Sequence, residues 1–453
     1  MDFQGKKVLV VGAGLSGQAA VGKLLRSGAE VFLTDKEPKD KLQNIEKLAL
    51  DDSHLRLGKE PEIELIKPDL LVLSPGVSPQ LPFIQEAMSK GIPVWSEVEL
   101  ALRDLPALKI GVTGSNGKTT TTTLIGELAK ATGRPTIVAG NIGIALSGLV
   151  DELKEDGIVV AELSSFQLEL IDRMQVNIAV VLNLTPDHLD RHGTMEAYVQ
   201  AKARILENQT FEDLAVLNWD DPLIRDFKLK TKARVRYFSV REQLTDGICL
   251  RGKDIVVRHA SQATKIIGYQ ELLLRGSHNL ENVMAAVAAG LEMGLTVEDI
   301  AKVLREFRPV KHRQEIVGKF NDILFINDSK ATNPDSAIKA LQSYEEPIVL
   351  IAGGKNKGLD MTEFLLEAKK RVKSLVLVGE AAAELERVAR SLNMQRVLRA
   401  GSFEDAVAKA IGEAEPGDVV LLSPACTSWD MFKSYEIRGE LFKELVRNHY
   451  SEP

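Results

Sequence analysis

The chain has 453 residues, which at about 150 residues per domain predicts about three domains, each able to bury a core of its own. Its 57 Lys+Arg against 64 Asp+Glu leave a formal charge of -7, so there is no global basic excess to hold a nucleic-acid backbone, and any bound anion must be gripped by a local site. A composition of 44% hydrophobic and 27% charged residues argues against disorder and coiled coil, and two cysteines, Cys249 and Cys426, can build neither a disulfide framework nor a metal cluster, which fits a reducing compartment.

The amino terminus carries an apolar run, Val8-Val11, too short for a secretory core and interrupted by glycine, so it reads as a first strand. Further runs follow at Val31-Thr34, Leu70-Leu73, Ile110-Thr113, Ile158-Glu162, Ile178-Asn183, Ile323-Asn327, Ile348-Ala352, Ser374-Val378 and Val419-Ser423, with amphipathic stretches between them. Several are continuous Val/Ile/Leu rather than alternating, as strands covered by helices on both faces require, which predicts an α/β class with mainly parallel sheets. Between Phe211 and Leu274 the pattern loosens and predicts an antiparallel or irregular insert. Seams near Ile92-Trp95 and at Arg308-Pro309 divide the chain into 1–96, 97–309 and 310–453. No apolar run reaches the ~18 residues of a membrane span, so the expected address is the cytoplasm.

The first motif is Gly12-Ala-Gly14-Leu15-Ser16-Gly17, between a strand and a helix, with Asp35 closing the next strand. Glycines there let backbone approach a diphosphate, and the acid suits ribose hydroxyls. The pattern reports a diphosphate rather than hydride transfer, so a nicotinamide dehydrogenase, another diphosphate ligand and a bare tight turn all stay open. The second motif is Gly111-Val-Thr-Gly114-Ser115-Asn116-Gly117-Lys118-Thr119-Thr120. Its backbone amides suit phosphates, Lys118 supplies a point charge, and the Thr119 hydroxyl suits a magnesium ion. The strict P-loop spacing wants Gly at position 112 and finds Val.

In the same predicted domain Glu162 ends one strand, and His188 follows another in Asn-Leu-Thr-Pro-Asp-His-Leu-Asp-Arg-His. Magnesium favours oxygen, so composition points to Glu162 over His188 as a ligand; Asp187, Asp190 and His192 read as solvated loop charges. His278-Asn279-Leu-Glu-Asn282 opens an Ala-rich helix, where Asn279 is either a nucleotide contact or an N-cap, and Arg313 suits a phosphate. In the last segment, Asn-Asp328-Ser-Lys330-Ala-Thr332-Asn, Gly-Gly-Lys-Asn-Lys357 and Ser-Pro-Ala-Cys426-Thr-Ser428-Trp-Asp each follow a strand and together suit an acidic small molecule. Cys426 reads as an inert packed thiol.

Taken together, these stretches resemble the Mur ligases of peptidoglycan precursor synthesis, from Gly12 to Tyr435, and the loop from Gly111 to Thr119 is the variant which that family carries. The resemblance implies a Rossmann-like N-terminal domain for a UDP-linked substrate, a central P-loop ATPase-like domain for ATP and a Rossmann-like C-terminal domain for an amino acid. It implies ATP-dependent joining of D-glutamate to UDP-N-acetylmuramoyl-L-alanine through an acyl phosphate, with Mg2+, by a monomer that binds neither nucleic acid nor membrane; a sister ligase adding another amino acid is the near alternative.

By the same resemblance Gly114, Ser115, Asn116, Gly117, Lys118, Thr119 and Thr120 hold ATP phosphates, while Asn279, Asn282, Arg313, Asp328 and Lys330 form the nucleotide-side set. Thr119, Glu162, His188 and Lys202 serve the metals, Lys202 as a carbamylated lysine; Lys118, His188 and Lys202 form the catalytic group. Leu15, Ser16, Asp35, Ser74, Gly76 and Asn141 contact the UDP substrate. Thr332, Lys357, Ser428 and Tyr435, the last standing where the family usually carries Phe, contact D-glutamate.

Overall fold

The computed structural model describes residues 2–451 except Arg275 and Pro309, and excludes the side chain of Asp190. The seam expected at Arg308-Pro309 and the loop charge expected at Asp190 therefore fall outside the described residues in part. The chain forms two compact units: one from the amino terminus to Glu271 together with Glu281–Arg305, the other from Leu272–Leu280 together with Glu306 onward.

The first unit holds two sheets. The N-terminal one contains β1 (Lys7–Val11), β2 (Glu30–Asp35), β3 (Leu55–Leu57), β4 (Leu70–Leu73) and β5 (Val94–Ser96), ordered β3-β2-β1-β4-β5, and every pair is parallel. Side chains of alternate parity along β1 enter different cores, Val8 and Val10 one, Leu9 and Val11 the other, so the strand is covered on both faces. The order reverses at β1, which puts the switch point at the glycine turn that follows it.

The central sheet contains β6 (Leu108–Thr113), β7 (Thr136–Gly140), β8 (Ile158–Glu162), β9 (Ile178–Val181), β10 (Leu214–Asn218), β11 (Arg234–Ser239), β12 (Asp246–Arg251), β13 (Asp254–His259) and β14 (Gln262–Gly268). Its order is β14-β13-β12-β11-β10-β9-β6-β8-β7. The insert expected over Phe211-Leu274 is smaller than the sequence suggested. β10 and β11 continue the parallel sheet, and only the β12–β14 meander is antiparallel. β10 is buried throughout, so its short Leu-Ala-Val-Leu run is a core strand rather than an irregular one.

The helix Lys118–Ala131 leaves the carboxyl end of β6 with five threonines in its first two turns. β-branched residues are poor helix formers, so burial of Thr119 to Thr122 against the sheet holds this segment, rather than propensity. The helix Met195–Ala203 is capped by Thr194 and sends Tyr198 and Lys202, four residues apart, inward from one face.

The second unit contains β15 (Glu315–Phe320), β16 (Ile323–Asn327), β17 (Ile348–Gly353), β18 (Val372–Val378), β19 (Val397–Arg399) and β20 (Val419–Ala425), ordered β15-β16-β20-β17-β18-β19. All pairs are parallel except β15 with β16. The carboxyl ends of β16, β20 and β17, three neighbouring strands, therefore lie side by side. Among the described residues no helix is long and apolar enough to cross a membrane.

Candidate active site

Three strand ends of the central sheet converge on the phosphate-type loop. Leu182 N donates to Thr113 O at 3.1 Å, and Thr113 Oγ1 donates to Leu163 O at 2.8 Å. Asn183 then clamps the loop: its carbonyl accepts from Ser115 N at 2.8 Å, its Oδ1 accepts from Asn116 N at 2.8 Å, and its Nδ2 donates to Asn116 O at 3.0 Å. Ser115 Oγ donates to Thr185 O and lies 2.9 Å from the Tyr198 hydroxyl. The amides of Ser115 and Asn116 are thus committed to holding the loop open, and the opening amides of the helix Lys118–Ala131, which have no helical acceptor, are the donors its dipole aims outward.

Gly117 sits at the turn with φ +84°, where a Cβ would come within 2.2 Å of Asn282 Oδ1. Asn282 Oδ1 also accepts from Thr121 Oγ1 at 3.2 Å, so the expected nucleotide-side residue packs directly on the loop. Lys118 Nζ folds back to donate to the carbonyls of Gly114 and Ser115 at 2.9 and 2.8 Å. Lys202 Nζ donates to the same Gly114 carbonyl at 2.8 Å. Burial, reinforced by the nearby Lys118 charge, drives the Lys202 amine well below the usual lysine range. Lys202 is therefore a buried amine whose charged form is disfavoured, with the carboxylates of Asp187 and Glu162 close enough to oppose that shift.

Glu162 ends β8 buried. Its Oε1 accepts from Asn141 Nδ2 at 3.0 Å, and its Oε2 has no hydrogen-bond partner. The Thr120 hydroxyl is also buried without a partner. Among the described residues, no group of three or more His, Cys, Asp or Glu forms a ready-made metal cage. A hard cation that keeps most of its ligands as water and phosphate needs only one such carboxylate, so the unpartnered Oε2 beside a phosphate-type loop fits magnesium.

His188 takes a left-handed conformation at φ 53° and opens the short turn Leu189–His192. Its ring meets Phe166 edge-on with centroids 4.9 Å apart. His192 is not the solvated charge expected from sequence: it stacks on Phe166 with ring centroids 5.5 Å apart, and its Nε2 lies 2.9 Å from Ser165 Oγ. Arg191 lies 4.0 Å over the Phe166 ring and donates from Nη1 to Pro75 O at 2.7 Å, tying this corner to the 74–77 turn of the N-terminal sheet.

At that N-terminal sheet, Gly12 has φ +96° and a Cβ there would meet Ser74 Cβ at 2.8 Å, while a Cβ on Gly17 would strike Gly12 O at 1.8 Å. Ser74 Oγ donates to Gly12 O at 3.0 Å. Asp35 spends its carboxylate on backbone, accepting from Ala13 N at 2.7 Å and Glu37 N at 2.9 Å. Leu15 is 70% exposed in the first helical turn, an apolar side chain left standing beside the glycine turn, with Ser16 half-buried next to it and Gly76 exposed on the facing turn.

In the second unit the expected residues gather at the ends of β16, β17 and β20. Asp328 is fully buried; its Oδ1 accepts from Gln314 N at 3.1 Å and its Oδ2 from Ser423 Oγ at 2.9 Å. Burial pushes its carboxyl up to about 7, with Arg313 the main opposing charge. Lys355 and Thr427 exchange backbone hydrogen bonds of 2.9 and 3.0 Å, which fastens the loop bearing exposed Lys357 to the one bearing buried Ser428. Thr332 N donates to Lys330 O at 2.9 Å, and Lys330 Nζ lies 5.5 Å from the Tyr435 ring.

Asn279 lies inside the first turn of the helix Ser277–Glu292, so it is not that helix's cap. Its neighbour His278 is half-buried and held neutral, its pKa pulled down to about 3 by burial, and lies 3.2 Å from Gln314 Nε2. Cys426 is buried and its thiol pushed up to about 12, matching an inert packed thiol. Sequence reasoning missed Asn183, Tyr198, Phe166 and Arg438. Asn183 opens the Asn-Leu-Thr-Pro-Asp-His stretch, and Phe166 and Tyr198 lie four residues from Glu162 and Lys202, whereas Arg438 carries no local signal.

The glycine-turn sheet, the sheet bearing the Lys118 phosphate loop and the third sheet with polar strand ends give the chain three α/β parts. Family sequence profiles match all three parts: "Mur ligase MurD-like, N-terminal domain" over residues 6–96, "Mur ligase middle domain" over 112–290 and "Mur ligase, glutamate ligase domain" over 312–426. The chain belongs to the Mur ligase family. It is 61% identical over 453 residues, all of both chains, to the UDP-N-acetylmuramoylalanine--D-glutamate ligase of Desulfitobacterium hafniense strain Y51. It is 48% identical over 446 residues, 98% of each chain, to the ligase of the same name from Pelotomaculum thermopropionicum. Among solved structures it shares its fold with the UDP-N-acetylmuramate-alanine ligase MurC of Thermotoga maritima (TM-score 0.61, 20% identity, 98% of this chain and 100% of that one). A MurF ligase from Thermotoga maritima in complex with ADP gives TM-score 0.61 at 18% identity, over 99% of this chain and 96% of that one.

Proposed function

We propose that this chain is the ATP-dependent ligase that joins D-glutamate to UDP-N-acetylmuramoyl-L-alanine in peptidoglycan precursor synthesis, working in the cytoplasm where its nucleotide substrates are made. The acceptor carboxylate takes the γ-phosphoryl group of ATP, releasing ADP and giving an acyl phosphate. The D-glutamate amine attacks the acyl carbon through a tetrahedral intermediate, orthophosphate leaves, and the nitrogen loses a proton.

The observation that carries this reading is the loop from Gly114 to Thr120, braced by Asn183 beside the half-satisfied Glu162 carboxylate. Such chemistry needs positioning and charge neutralisation more than covalent participation. Lys118 would turn from its own loop carbonyls to the terminal phosphates, with the amides from Gly117 to Thr120 beside it. Thr119 and Glu162 would hold one magnesium ion; His188 and carbamylated Lys202 would hold a second. Magnesium would supply neutralisation of phosphate charge. The burial that disfavours the charged form of Lys202 suits carbamylation, because only an unprotonated lysine attacks carbon dioxide.

Residues 1–96 would hold the UDP end of the acceptor through Leu15, Ser16, Ser74 and Gly76, with Asp35 bracing the glycine turn in addition to any ribose contact, and Asn141 would contact the acceptor from the central segment, 97–309. Asn279, Asn282, Arg313, Asp328 and Lys330 would serve the nucleotide, and Thr332, Lys357, Ser428 and Tyr435 of segment 310–453 the amino acid. The test is phosphate release with ATP and UDP-N-acetylmuramoyl-L-alanine against a panel of amino acids. Release that requires D-glutamate supports the reading; release driven equally by L-alanine or a diamino acid assigns a sister activity instead.

A further inference from the structure

Arg438 lies on the helix Tyr435–Ser451 and is 1% exposed, the largest fully buried side chain of the described residues. It has no ion pair within 4 Å among the described residues, an arrangement that costs stability unless other groups compensate. Its hydrogen bonds go to strand-end loops. Nε donates to Ser329 Oγ at 2.9 Å, and Nη2 donates to Ser329 O at 2.8 Å and Cys426 O at 3.3 Å. Ser329 Oγ in turn donates to Tyr435 O at 2.8 Å.

The remaining nitrogen, Nη1, is buried without a partner and stands 3.2 Å from where a Cβ on Gly354 would lie. One guanidinium therefore touches the ends of β16, β20 and β17 and the start of its own helix. Those are the four stretches that carry Thr332, Ser428, Lys357 and Tyr435. Asp430 and Asp328 act on it only through space, neither making an ion pair with it within 4.0 Å, and Asp430 Oδ2 accepts from Glu380 N at 2.8 Å. Burial pulls the guanidinium only down to about 10, so it stays charged at neutral pH.

We propose that Arg438 is the positioning and specificity-determining residue for the amino-acid substrate, a buried unpaired cation that sets the three strand-end loops and favours an acidic over a neutral side chain among them. The proposal rests on the amino-acid role given above to the second unit. A planar fork can serve Ser329 and Cys426 at once, whereas a lysine ammonium supplies the charge without that reach.

The experiment is steady-state phosphate release by wild type, R438M and R438K, with D-glutamate compared against D-glutamine. In R438M the KM for D-glutamate should rise about tenfold and the D-glutamate to D-glutamine preference in kcat/KM should fall about tenfold, while the KM for the UDP-linked acceptor stays within twofold. R438K should keep the preference and lose turnover, separating charge from loop geometry. A folded R438M with unchanged preference overturns the proposal. If R438M does not fold, R438K decides alone: unchanged turnover and D-glutamate KM overturn it. Wild type that ignores D-glutamate altogether would instead remove the proposed function, so the two failures are distinguishable.

Discussion

Asn141 donates its side-chain amide to Oε1 of Glu162 at 3.0 Å, leaving the buried Oε2 of that carboxylate without a partner. Buried polar atoms are nearly always satisfied, so an orphan oxygen at a strand end marks a place where a ligand completes the set. Glu162→Gln keeps the shape and removes the charge. Turnover should fall about 10²-fold or more, with magnesium titrations shifted to higher concentration. Phosphate release measured over a magnesium series checks this; an unchanged magnesium dependence would remove Glu162 from the metal's ligands.

Burial holds the Lys202 amine of the folded chain well below the lysine range it keeps when unfolded, so between the two the unfolded state binds the extra proton. Stability from this group is complete above the usual lysine value and is lost as pH falls toward the folded one. Lys202→Met should therefore raise Tm at pH 7, with the gain shrinking toward pH 10, while activity drops about 10²-fold. A carbamate signal from ¹³C-bicarbonate in wild type, absent in the variant, would tie the two effects to one nitrogen.

The carboxyl of Asp328 has the opposite linkage. Raised to about 7 by burial, it holds a proton in the folded chain at pH values where the unfolded chain has lost it. The favourable contribution is full below about pH 4 and disappears as pH rises through 7. Asp328→Asn should remove this slope. Thermal melts of the pair should diverge by about 3 °C or more between pH 5 and pH 8, with the variant relatively more stable at the higher pH.

Gly117→Ala combines two penalties, a left-handed φ of +84° and a Cβ only 2.2 Å from Asn282 Oδ1. The backbone cost is about 1–2 kcal/mol, and the clash must push Asn282 or the loop aside. Binding of ADP by calorimetry should weaken at least tenfold. Retained affinity would show that the loop tolerates displacement and that its amides do not set the phosphate position.

The sequence was most legible where burial on both faces forces continuous apolar runs. Leu70-Leu73 and Ile158-Glu162 match their strands residue for residue, because each is buried throughout. Leu55–Leu57 and Val397–Arg399 were missed: each is a three-residue edge strand whose neighbours supply the pairing that its composition does not announce. Thr136–Gly140 and Glu315–Phe320 escaped for a related reason, being only partly buried edge strands. The Lys118 loop stood out because a glycine-lysine-threonine turn opening a helix is rare without a ligand. Arg438 did not, since an arginine on an amphipathic helix reads as solvated until the packing of three loops around it is known.

The five consecutive threonines after Lys118 have a consequence for the portability of the loop. Cut out with β6 as a fragment of residues 108–131, that segment would lose the surfaces that bury its methyl groups and would relax to a coil, since β-branched side chains nucleate helix poorly. Grafting the motif onto another scaffold would therefore transfer its letters without its shape, unless the clasp from Asn183 travelled with it.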